Sequence, residues 1–196
     1  MGELSPAERQ TIERIEPEPM LEQVLAWSAV NSGSRNLDGL ARMAPLLADA
    51  FSELPGEVEL VEPASVESVD TRGQTIAIEH GRHLHLRVRP DAPVQLLFTG
   101  HMDTVFGADH AFQQTRWLED GVLNGPGVTD MKGGIAVMLA ALKAVEQSPD
   151  AGRFGYDVVI NSDEEVGSPA SAALLEQAAR GKRAALTYEP AALPDG

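Results

Sequence analysis

From Val94 onward the chain repeats one pattern: an apolar run, a loop, a helical stretch, then another apolar run. Val94 to Phe98 and Tyr156 to Ile160 are nearly continuous apolar segments, as strands covered on both faces require. Between them, Met131 to Glu146 places Ile135, Met138, Leu139, Leu142 and Val145 at helical spacing. Another helix is expected to start at Ser168-Pro169, with Ser168 as N-cap and Pro169 in the first position, and to end at Gly181. Ala184 to Tyr188 reads as a further short strand. Strands alternating with helices predict an α/β fold, a mixed and mostly parallel sheet with helices on both faces.

Upstream, a helix is expected from about Pro19 to Val30, broken by Asn31-Ser32-Gly33-Ser34. A second runs from near Asn36 to about Leu54, with Leu37, Leu40, Ala44, Leu47 and Phe51 as its apolar stripe and Pro55-Gly56 as its stop. The period then changes to two, at Val58 and Leu60, at Ile76 and Ile78, and over His83 to Arg89. In that last run Leu84, Leu86 and Val88 take one face. His83, His85, Arg87 and Arg89 take the other, which reads as the wet face of an amphipathic strand. His80 and His110 have no flanking constellation. Residues 1–18 read as a polar arm and residues 19–196 as part of one folded unit.

The chain has 30 acidic and 15 basic residues, a formal charge of −15. That balance argues against holding nucleic acid or anionic lipid, both of which need Lys and Arg. The absence of cysteine removes disulfides, thiolate metal sites and cysteine nucleophiles, so any metal would rest on His, Asp and Glu. No apolar run approaches the roughly 20 residues of a membrane span, and the opening MGELSPAERQ is polar. A cytoplasmic protein is the expectation.

The unusual polar residues cluster just after the buried strands. His101 and Asp103 follow the first, Asp163, Glu164 and Glu165 the second, and Glu189 the third, while Asp130 opens the strong helix. In open α/β sheets ligands bind beyond the carboxyl ends of the strands. Taken singly, each group has a plainer alternative. His101-Met102-Asp103 reads as a metal-binding imidazole backed by a carboxylate, or as a surface His beside a capping Asp. Asp130 is a candidate ligand in a glycine-rich loop, or a helix cap. The acid triplet offers a ligand and a neighbouring proton carrier, or a solvated charge run. Glu189 is a fourth carboxylate, or an ordinary strand end. The segments GxGxxG and GxxxxGK[ST] are absent, which argues against a nucleotide loop.

In order along the chain, LLFTGHMDTVFG, GPGVTDMKGGIAVMLAALKAV, INSDEEVGSPAS and TYEPA resemble a zinc-dependent metallopeptidase and amidohydrolase family. It includes glutamate carboxypeptidase, acetylornithine deacetylase, succinyl-diaminopimelate desuccinylase and the aminoacylases. The resemblance covers roughly Pro19 to the C-terminus, and VNSGSRNLDGL and HMDTVF lean toward the glutamate-carboxypeptidase-like branch. It implies two Zn²⁺, with Co²⁺ or Mn²⁺ as substitutes. His101 and Glu189 would serve the first ion, Glu165 the second, and Asp130 would bridge them. It implies Glu164 as general base and acid, Asp103 as the partner of His101, and a cis peptide bond at Asp130–Met131. The implied reaction is hydrolysis of a C-terminal peptide bond or of an N-acyl amino acid.

The chain ends at Gly196, shortly after Glu189. Relatives continue through an inserted lid domain, through which a homodimer can form, and return with a late histidine on the second zinc. Residues 19–196 are therefore expected to be the N-terminal portion of the catalytic domain. The alternative is a non-catalytic, metal-binding or scaffold half that requires a second chain.

Overall fold

The computed structural model describes residues 3–119 and 121–191. The final residues of the expected catalytic portion, 192–196, lie outside the described residues.

Helix α1 (Pro6–Ile12) lies within the arm and starts on a capping box, in which Ser5 Oγ accepts from Glu8 N and Glu8 Oε2 from Ser5 N. Helix α2 (Pro17–Ser28) begins on prolines, and α3 (Leu37–Phe51) is capped by Asn36, whose Oδ1 accepts from Gly39 N at 3.1 Å. The predicted stripe of α3 is buried at Leu40, Ala44, Leu47 and Phe51, with Met43 added.

The strands that follow are β1 (Glu57–Val61), β2 (Val66–Val69), β3 (Thr75–Ile78), β4 (His83–Val88), β5 (Gln95–His101), β6 (Arg116–Glu119) and β7 (Val122–Asn124). Helix α4 (Gly134–Glu146), β8 (Gly155–Asn161), α5 (Ala172–Ala179) and β9 (Ala184–Thr187) complete the order. The main sheet has five strands in the order β1-β4-β8-β5-β9, and β2-β3 and β6-β7 form separate two-stranded sheets. The sheet is mixed, as expected. Strands β8, β5 and β9 run parallel, while β4 lies antiparallel to both β1 and β8.

Alternation along the strands sorts the core onto two faces. Leu84, Leu86, Val88, Phe98, Tyr156, Val158 and Ile160 pack with α2, α3 and α4. Leu97 and Val159 face Leu174, Leu175 and Ala178 of α5. Helices therefore cover both faces, and all seven residues of β8 are buried.

Two expectations need correction. The face carrying His83 and His85 is not wet, since these residues are 1% and 7% exposed. Strand β4 is interior, and the elements around β8 and α5 close over it. His83 Nδ1 accepts from Ser162 N, and burial lowers its pKa. His85 Nε2 lies 3.0 Å from Asp157 Oδ2, whose other oxygen accepts from Lys182 Nζ at 2.7 Å. Only Arg87 keeps substantial solvent contact, while Arg89, past the strand end, pairs with Glu146 of α4. Ser168, too, is not the N-cap of α5. It has φ +56°, and the helix starts after Ser171. Asp163 accepts from Ala170 N and Ser171 N instead, capping α5 from outside.

The Asp157 cluster predicts a stability effect. Burial raises the Asp157 pKa, but hydrogen bonds from His85 and Lys182 outweigh it and hold the carboxyl below its ordinary range. Asp157→Ala strands a buried cation and is expected to cost about 3 kcal/mol, read as a lower urea midpoint. A midpoint unchanged from wild type would rule out that role.

Candidate metal centre

Strand β5 lies between β8 and β9, and all three run the same way, so their carboxyl ends meet at one edge. His101 closes β5, Glu164 and Glu165 follow β8, and Glu189 follows β9. Asp130 arrives from segment 128–133, ahead of α4. The sequence suggests that α4 runs from Met131, but regular helix starts only at Gly134, because Asp130 and Met131 have non-helical dihedrals. The Asp130–Met131 peptide bond is cis.

The imidazole of His101 is the centre of the arrangement. Its Nε2 lies 2.9 Å from Asp130 Oδ1, 3.6 Å from Glu189 Oε1 and 3.9 Å from Glu164 Oε2. Among the described residues, His101, Asp130 and Glu165 form a group whose ligand atoms all lie within 4.8 Å of one another. His101 is 1% exposed, whereas the side chains of Asp130, Glu164 and Glu189 are half or nearly half open to solvent.

Asp103 sits beneath this shelf, fully buried. Its carboxylate accepts from Ser34 Oγ at 2.7 Å and from the backbone N–H groups of Glu164 and Glu165 at 3.2 Å each. His101 Nδ1 is 3.4 Å from Asp103 Oδ1 and 3.1 Å from its backbone oxygen. One carboxylate thus ties the imidazole to the loop bearing both glutamates. Burial lowers the His101 pKa, but Asp103, helped by Glu189 and Asp130, overcomes this and raises it to about 9.

Asp163 does not join the site, since it points inward to α5. The histidines without a flanking motif also have local partners. His80 Nε2 lies 3.1 Å from Arg35 Nη1, and His110 Nδ1 accepts from Phe112 N. Sequence reasoning missed Ser34 and Gly134. Ser34 looks like a loop serine, and nothing in the sequence beyond its place two residues before the Asn36 cap marks it. A Cβ at Gly134 would stand 2.0 Å from the Tyr188 carbonyl oxygen, so this glycine lets the end of β9 reach α4 beside Glu189. Gly134→Ala is expected to cost about 2 kcal/mol and to weaken cation binding. Gly152→Ala, where nothing lies within 4 Å of the added carbon, should do neither. Thermal melts with cation titrations compare the two, and equal behaviour would show that the approach tolerates a methyl group.

The donors are one imidazole nitrogen and several carboxylates in a chain without cysteine, a set that suits zinc, cobalt or manganese. Glu165 and Glu189 are both held above the usual carboxylate range, first by burial and then by neighbouring acids, Asp130 among them. A cation would offset that repulsion.

Residues 97–193 match the profile described as Peptidase family M20/M25/M40. Carboxypeptidase G2 of Pseudomonas sp. (strain RS-16) is 30% identical over 125 residues, 64% of this chain and 30% of that protein. Succinyl-diaminopimelate desuccinylase of Xanthobacter autotrophicus is 35% identical over 112 residues, 51% of this chain and 28% of that protein. The chain thus spans about a third of the length of these curated relatives. In fold it is similar to human carnosine dipeptidase 1, with a TM-score of 0.72 and 22% identity over 91% of this chain and 40% of that one. It is also similar to the M20 family metallo-carboxypeptidase Sso-CP2 from Sulfolobus solfataricus, with a TM-score of 0.67 and 17% identity over 90% and 38%. His101, Asp103, Asp130, Glu164, Glu165 and Glu189 all fall inside residues 97–193, the stretch that is a domain of peptidase family M20/M25/M40.

Proposed function

We propose that the protein carrying this chain hydrolyses an amide bond, either a C-terminal peptide bond or the N-acyl bond of an amino acid. We assign His101, Asp130, Glu165 and Glu189 as ligands of two Zn²⁺ and Glu164 as the general base. The observation that supports this best is the convergence on His101 Nε2 of carboxylates from three other segments. The names carboxypeptidase G2 and succinyl-diaminopimelate desuccinylase among the relatives favour the same two substrate classes.

When bound, such cations polarise a carbonyl and lower the pKa of water to about 7. The rest falls to the protein. Glu164, whose carboxylate stands open to solvent beside His101, takes a proton from the water that attacks the amide carbon. It returns that proton to the nitrogen as the C–N bond breaks, so acid and amine leave with the elements of water added. Asp103 fixes the imidazole through Nδ1 and leaves Nε2 for the site.

From this chain one ion can draw on His101, Asp130 and Glu189, the other on Asp130 and Glu165. The first site should therefore be the tighter, and turnover belongs to the intact protein. A homodimer and a cytoplasmic location complete the proposal. The test is metal analysis of the purified protein with assays on N-acyl amino acids and on dipeptides. Turnover that a chelator abolishes and zinc restores is expected. A protein that binds no divalent cation, or that hydrolyses neither class when loaded, would overturn it.

A further inference from the structure

We propose that Lys132 is a positioning residue for the cation site, its buried ammonium riveting the loop that carries Asp130 to the end of α2. The inference rests on Asp130 being a ligand. Something outside the loop must aim this carboxylate. Asp130 lies between Gly127 and Gly134 in backbone that is not a regular helix, and its own side chain is 51% exposed. The two residues after it are both buried. Met131 sulfur accepts from His101 N at 3.2 Å, and Lys132 is 1% exposed.

Lys132 Nζ donates to Trp27 O at 3.1 Å and to Val30 O at 3.0 Å. Both carbonyls lie at the carboxyl end of α2, where a helix leaves oxygens to be capped and its dipole favours a cation. Lys132 N also donates to Gly127 O at 2.8 Å, closing the loop. Gly127 sits at φ +71°, which side chains rarely adopt, and a Cβ there would stand a tight 3.0 Å from Lys132 Cδ. The loop therefore wraps around the lysine stem. An apolar side chain would fill the same space without desolvating a charge. What the ammonium adds is direction, a fixed distance from the α2 terminus to the residue two places after Asp130. Among the described residues the ammonium bonds only to the Trp27 and Val30 carbonyls, so it acts on the site through the loop.

Co²⁺ titration of the protein, followed by visible absorption, tests this, with denaturation curves recorded in parallel. Lys132→Met is expected to weaken Co²⁺ binding at least tenfold and to alter the spectrum, with the far-UV dichroism unchanged. Lys132→Gln, which keeps a donor, should fall between Met and wild type, and it carries the comparison if the Met variant does not fold. Lys182→Met removes another largely buried lysine, 11% exposed, at the opposite end of β5. It should lose stability yet bind Co²⁺ with wild-type affinity and spectrum. Wild-type affinity and spectrum in the Lys132 variants would overturn the proposal, as would an equal loss of affinity in Lys182→Met. If instead Asp130→Asn binds Co²⁺ like wild type, Asp130 is not a ligand, and the role of Lys132 falls with it.

Discussion

Glu164→Gln is expected to lower kcat for amide hydrolysis about a thousandfold, with bound metal and fold unchanged. The substitution keeps the size of the side chain and leaves the Glu164 backbone N–H on Asp103, so the loop stays in place. Only the carboxylate near His101 Nε2 loses its basicity. The neighbouring residue supplies the contrast. Glu165→Gln should first reduce metal content, because its oxygen belongs to the group with His101 and Asp130. Steady-state kinetics with metal analysis on both variants separate the roles. Near-wild-type turnover in Glu164→Gln would remove it as the base.

Asp103→Ala should be the most damaging single change to the site. It leaves Ser34 Oγ and the amides of Glu164 and Glu165 without their acceptor in a buried place. A stability loss of about 3 kcal/mol is expected, and cation affinity should fall about 10- to 100-fold. The gentler Asp103→Asn reads out through pH. In the cation-free protein the His101 pKa is raised to about 9, so the unfolded chain releases this proton more readily than the folded one. The resulting stability is fully present below the ordinary histidine value of 6.5 and is lost as pH rises through about 9. Without the Asp103 charge, burial gains the upper hand and the titration moves down. Ring-proton NMR across that range measures it, and an unmoved titration would show that Asp103 does not control this imidazole.

The change of period from two to 3.6 marked the strands and helices, and acids at strand ends marked the candidate site, because both signals are local. Burial of a particular strand face is not local. Alternation along β4 separates His83, His85 and Arg87 from the leucines, but nothing within the strand tells that α5 and its flanks close over the histidines. The acid triplet shows the same limit. Asp163, Glu164 and Glu165 are chemically alike in sequence, and only the path of the chain sends the first to cap α5 and the others toward His101. Lys132 escaped for the opposite reason. A lysine at the start of a helix normally reaches solvent, and its burial depends on the end of α2, about a hundred residues earlier. Ser34 was hidden in the same way, since its role exists only when its loop meets Asp103.

The placing of β5 between β8 and β9 sets an order of events in assembly. His101 emerges before β8 and β9, and it meets Glu164 and Glu165 only when β8 has docked and Glu189 only when β9 has. Contacts of such long sequence separation form late. A nascent chain that has not yet seated β9 holds the imidazole without Glu189. A cation held by all four proposed ligands would therefore be captured only after β9 has docked, as a lock on these strands rather than a seed for them.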